Sequence, residues 1–185
     1  MNALNLLQKR VSVGRLQSPA PDQALCEEFI QAAMRAADHG NLTPWRFLLI
    51  QDQALVKLGE VFLAAAKINK PDMSPEEAQR FLSMPSRAPL IITVIAKTQT
   101  HPKIPIHEQL FSAAAAAQNI LNAAYASGFG AIWRTGDLAS DGYVNDALGL
   151  TQGEQIIGFL YIGTPIQPLG EAKLKPATDF LSYWA

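Results

Sequence analysis

Residues 106–127 read IHEQLFSAAAAAQNILNAAYAS, and the fold turns on this stretch. It predicts the longest helix of the chain, and one that is apolar nearly all round. Such a helix must be covered on every side, by its own domain or by a partner. The run Ala113 to Ala117 lets another helix approach closely. Gly128 and Gly130 end it. Ser112, Gln118, Asn119 and Asn122 break the window Leu110 to Ala126. No stretch therefore reaches the roughly 18 consecutive apolar residues of a membrane span.

Working outward, Leu90 to Ala96 (LIITVIA) is continuous and β-branched, as expected of a strand buried on both faces. Trp45 to Gln51, Ala131 to Arg134 and Gln155 to Tyr161 read as further strands. Helices are expected at Ala3 to Lys9, from Asp22 to about Ala37, at Gln53 to Ile68, after Ser74, and at Asp141 to Leu148. Asp22 can cap the second of these, where Leu25, Phe29, Ala32, Ala33 and Ala36 repeat at three and four. Ser74, Glu76 and Glu77 place an acceptor and acids at the positive end of the helix they start. Val11 to Pro21 holds Gly14, Pro19 and Pro21 and reads as a loop, as does the stretch bracketed by Pro85 and Pro89. The expectation is one α+β domain over residues 1–185, with about four strands and a dominant central helix. The tail from Thr164 carries Phe180, Tyr183 and Trp184 but no partner of its own, which suits packing on another subunit.

Composition narrows the function classes. The 185 residues suit one domain, and with 49% apolar residues the chain can bury a sizeable core. A net charge of −1 offers no broad basic field for nucleic acid or anionic lipid, so neither is an expected partner. A single cysteine, Cys26, rules out an internal disulfide framework and fits a reducing compartment. It lies in a helical pattern near Leu25, Phe29 and Ile30, where packing is its natural role. The short amphipathic start, Met1 to Gln8, lacks the apolar run of a signal peptide, so a soluble, cytoplasmic protein is expected.

Familiar catalytic signatures are missing. There is no G-x-G-x-x-G between a strand and a helix, no phosphate-binding G-x-x-x-x-G-K loop and no G-x-S-x-G elbow. His39, His101 and His107 lack the spacing of a helical zinc site. Three short clusters stand out instead. Arg10-Val11-Ser12, followed by Arg15, can grip a phosphate or a polar ring, or can offset a helix dipole. Arg35 to Trp45 (RAADHGNLTPW) packs polar side chains into a break and equally suits an ordinary turn. Gly128 to Gly136 (GFGAIWRTG) lets backbone approach a flat ligand, and Arg134 needs an anionic partner if it is buried. The other reading is a tight turn with Trp133 in the core and Arg134 solvated.

Taken together and in this order, the clusters resemble the FMN-dependent nitroreductase family, in its small YdjA-like branch. The resemblance covers nearly the whole chain. It runs through Arg10-Val11-Ser12, Ala36-Ala37 with Asp38-His39, Thr43-Pro44-Trp45, Arg87-Ala88-Pro89, Gly128-Phe129-Gly130 and Trp133-Arg134-Thr135. It implies a mixed, largely antiparallel sheet of about four to five strands flanked by helices, with the long helix at a homodimer interface. It implies two FMN sites, each lined by both chains. Arg10 and Ser12 would bind FMN with Val11 contributing backbone, Arg134 with Trp133 and Thr135 would hold its phosphate end, and Arg35 and His39 would reach in from the other subunit. NAD(P)H would be the co-substrate, and a nitroaromatic, a quinone or a similar small acceptor would take the electrons. The resemblance assigns no catalytic side chain, since the chemistry belongs to flavin N5, and no metal. Val11 stands where the family has a second arginine, Ala37 where it has proline, and Thr43 where it commonly has glutamine. Lys173 and Lys175 are faintly similar to a basic pair that grips phosphate in larger members. Two other readings fit: a relative using its flavin for reductive removal of a substituent, and a non-catalytic flavin-binding dimer.

Overall fold

The computed structural model describes residues 2–184. Met1 and Ala185, the ends of the expected domain, lie outside the described residues. The elements in chain order are α1 (Ala3–Lys9), β1 (Leu16–Gln17), α2 (Gln23–Ala33), β2 (Trp45–Gln51), α3 (Gln53–Asn69), α4 (Pro75–Ser83), β3 (Leu90–Lys97), α5 (Ile106–Ala126), β4 (Gly130–Arg134), α6 (Asp137–Ser140), α7 (Gly142–Ala147) and β5 (Glu154–Pro165). The fold is α+β. Its five strands run in the order β1-β5-β3-β2, with β4 also paired to β5. Every pairing among the described residues is antiparallel.

The sheet separates two apolar layers, and strand periodicity decides which residue serves which. On β3, Leu90, Ile92 and Val94 face α2 and α5, while Ile91 and Ile95 face α3 and its neighbours. This double burial is why β3 carries no alternation. The helix α5 lies against the sheet and α2 through Ala113, Ala116, Ala117, Ile120 and Ala124, all fully buried. The helix that uses the alanine run is therefore α2, tied across by Asn119 Nδ2 donating to Ala32 O at 3.1 Å.

The short helix α6 was not expected, several ends shift by a residue, and three larger differences from the sequence reading have a physical cause. Helix α2 stops at Ala33, where the backbone tightens and Arg35 and Ala36 donate three residues back to Ala32 and Ala33. The expected loop 11–21 contains β1, two residues held by β5 rather than by any propensity of their own. Strand β5 runs on to Pro165 because β1 and β4 give its last residues partners. The expected caps are in place. Asp22 accepts from Leu25 N–H at 2.9 Å, and Ser74 and Glu77 form a reciprocal capping box.

Candidate functional site

The loop after α1 is laid along the free edge of β4. Arg10 is half-buried at the end of α1, and three residues later Val13 N–H donates to Ala131 O at 2.9 Å. Gly14 then meets Arg134: a Cβ there would stand 3.5 Å from the guanidinium. The first and third sequence clusters, more than a hundred residues apart, are thus brought together. Gly14 and the Arg134 head group are thus neighbours at ordinary van der Waals distance.

Arg134 sits opposite Phe159 on β5, and its guanidinium lies 5.7 Å from the centre of the Tyr161 ring. Its Nε is buried without a hydrogen-bond partner, and no carboxylate pairs with it among the described residues. Tyr161 is only 4% exposed. Burial pushes its hydroxyl above the ordinary value, and the charges of Arg134 and Arg87 pull it part of the way back. Trp133 reaches the same region, but its indole N–H is committed to Ile157 O at 3.1 Å. The ring occupies the space a Cβ on Gly158 would need. Trp133 is thus partly buried against the core, while Arg134 is half-buried with its Nε enclosed and no anionic partner in the chain, so neither sequence reading of the pair holds whole. Thr135 is exposed.

These residues form one wall of a cleft of about 760 Å³ between α3–α4 and β4–α6. Phe62 and Met84 contribute apolar surface to it, and Arg87 and Tyr161 charge and polarity. Arg10, Val11 and Ser12 stand outside its lining, joined to it through Val13 and Gly14. Tyr161 went unnoticed in the sequence because it reads as one more apolar strand position. Arg87 was visible in Arg87-Ala88-Pro89, but no spacing rule relates it to Arg134.

The second cluster folds elsewhere. Asp38 accepts the Thr43 N–H at 2.7 Å and closes a turn in which Gly40, Asn41 and Thr43 all take positive φ. The bland reading of these residues as turn formers is correct for Asp38 and Thr43. His39 is exposed and its Nδ1 lies 2.7 Å from Glu108 Oε2 in the first turn of α5. Arg35 is exposed, and neither it nor His39 lines the cleft of its own chain. Lys173 and Lys175 lie on the exposed tail, with Lys175 over the Phe180 ring at 5.9 Å. Among the described residues, no group of acids, histidines and cysteine could hold a metal ion. No described helix is long and apolar enough to cross a membrane.

The donors present suit an anionic flavin. A buried guanidinium nitrogen lacks an acceptor, and beside it Gly136 lines the cleft with open space where a Cβ would stand. Fold and cleft together define a nitroreductase-like α+β protein. The chain belongs to the Nitroreductase family, whose profile matches residues 7–164. It is 37% identical over its full length, and that of the relative, to YdjA of Escherichia coli K12, which is named as an NAD(P)H nitroreductase. A nitroreductase-like family protein from Bacillus cereus superposes with a TM-score of 0.82 at 26% identity, covering 100% of this chain and 96% of that one. A Desulfovibrio desulfuricans nitroreductase solved in complex with FMN superposes at 0.78 with 22% identity, covering 100% and 98%.

Proposed function

We infer that the protein is an FMN-dependent NAD(P)H oxidoreductase working as a cytoplasmic homodimer, each chain forming one FMN-binding domain. The observation that carries this reading is the meeting of Gly14 and Arg134 around a buried, unpartnered guanidinium nitrogen. FMN, when bound, supplies hydride chemistry at N5 in a ping-pong cycle between NAD(P)H and a nitroaromatic, quinone or similar acceptor. The chain's own part is to bind, orient and exclude water. Arg134 holds the phosphate end through a charge-assisted contact, with Trp133 and Thr135 alongside. Arg10 and Ser12 reach the cofactor from the strand edge, with the Val11 backbone between them. Arg35 and His39 of the partner subunit complete the site, which accounts for their distance from the cleft of their own chain.

Exposed apolar side chains support the homodimer. Leu4 and Leu7 on α1 and Ile106 and Phe111 on α5 all face outward, as do Phe180 and Tyr183 on the tail. Ile106 and Phe111 lie on the uncovered side of the helix that the sequence requires to be covered all round.

Purified protein should be yellow and should bleach on adding NADPH. Colour without bleaching would remove the electron-transfer part of the reading, and a colourless dimer that cannot be reconstituted with FMN would remove the flavin. Arg134→Ala should weaken FMN binding more than about tenfold, since a hydrogen bond to a charged group contributes roughly 1.5–3 kcal/mol. Equal FMN affinity in the two proteins would take Arg134 out of the phosphate site.

A further inference from the structure

Gln109, near the start of α5, is only 1% exposed and is the one buried side-chain amide among the described residues. An amide taken out of water costs free energy unless its polar groups are bonded. Here they are. Gln109 Oε1 accepts from Gln99 N–H at 2.9 Å, and Nε2 donates to Gln99 O at 2.8 Å and to Ile104 O at 3.3 Å. Both Nε2 hydrogens are thereby used. An apolar side chain would fill this place on an apolar helix without that cost. What the amide adds is a fixed course for residues 99–104, the loop from β3 into α5, and the flavin reading gives it no task.

That loop reaches the second polar cluster. Ile104 is buried, and a Cβ on Gly40 would run into its Cδ1. Gly40 takes φ +77°, so the close approach and the backbone turn both require glycine there. His39, the residue before it, sets its Nδ1 2.7 Å from Glu108 Oε2, and Glu108 directly precedes Gln109. The His39 and Glu108 side chains are 61% and 38% exposed, and a surface pair of that kind fixes little by itself. The firmer constraint on His39 is the seat of Gly40 on Ile104, which Gln109 holds.

We propose that Gln109 is a positioning residue for the flavin site of the partner subunit. It fixes the 99–104 loop, the loop seats Gly40 through Ile104, and the seat sets the direction in which His39 leaves the chain. The proposal rests on the reading that His39 of one chain meets the FMN of the other.

The test uses full-length protein stripped of flavin. FMN is titrated into wild type, Gln109→Met, Ile104→Ala, His39→Ala and the two double variants that join His39→Ala to each of the others. Affinities are compared where each variant sediments as wild type does. Each single variant should bind FMN about three- to tenfold more weakly. In the His39→Ala background the other two substitutions should add no further loss, because the group they position is gone. A merely structural role would carry its loss into that background undiminished. Should Gln109→Met fail to fold, Ile104→Ala, which keeps all three hydrogen bonds, puts the same question to the loop that Gln109 holds. Wild-type FMN affinity in Gln109→Met or in Ile104→Ala overturns the proposal, as do losses that add in the double variants. In those cases a loss in His39→Ala leaves the flavin reading standing. Wild-type affinity in His39→Ala takes His39 away from the flavin and the proposal with it, and a wild type that binds no FMN overturns both.

Discussion

At the scale of single residues, the most strongly perturbed charge lies away from the cleft. Glu154, at the start of β5, accepts from Arg46 Nε at 2.6 Å and Nη2 at 2.9 Å, and from Thr151 N–H at 2.9 Å. Only 5% of its side chain is exposed. The Arg46 hydrogen bonds lower its carboxyl from 4.5 to about 2. A depressed folded value stabilises the protein fully above the unfolded value and ceases to do so as pH falls from about 4.5 towards 2. Urea unfolding should show this as a loss on the order of 2 kcal/mol across that window. Arg46→Ala leaves a buried carboxylate unpaired, so it should cost about 3 kcal/mol at pH 7 and flatten the acid limb of the curve. A variant with wild-type stability at both ends of the window would show that the pair contributes nothing net. The sequence displays Arg46 and Glu154 108 positions apart, with no sign that they touch.

At the scale of elements, the walls of the cleft depend on close packing between α3 and α4. A Cβ on Gly59 would run into the carbonyl oxygen of Leu82, a backbone atom that cannot swing aside. Gly59→Ala should therefore destabilise by about 1–3 kcal/mol through overpacking, against the small gain expected from helix propensity alone. Calorimetry decides it, and a raised melting temperature would mean that the two helices separate without cost. Helix caps and the buried strand β3 were legible because their signals are local: Asp22, Ser74 and Glu77 act within one turn. The end of α2 was not legible, because the alanines beyond Ala33 have good helix propensity and carry no stop signal of their own. The strand β1 was likewise invisible, since its two residues carry no periodicity.

At the scale of the whole molecule, exposed apolar side chains stand on α1, on α5 and on the tail. Phe111 is 66% exposed and Trp184 104% exposed. Phe111→Glu should place a charge in a subunit interface and shift sedimentation from dimer to monomer, with loss of bound flavin as the partner's Arg35 and His39 leave. A dimer of unchanged stability carrying full flavin would put the interface elsewhere. This face was legible in outline, because a helix apolar on every side cannot be satisfied by one sheet and one neighbour.

By itself the sequence determined the order of the longer elements, though not β1 or α6, together with the central helix, the caps and the three polar clusters, since each rests on spacing within a turn or a strand. The tertiary structure decided how those clusters combine. It set Gly14 against Arg134, left the Arg134 Nε without a partner, brought Arg87 to the same cleft, and sent His39 to Glu108 instead. Local propensity acts over a few residues, whereas a binding site is assembled by chain reversals whose register is set by burial across the whole sheet.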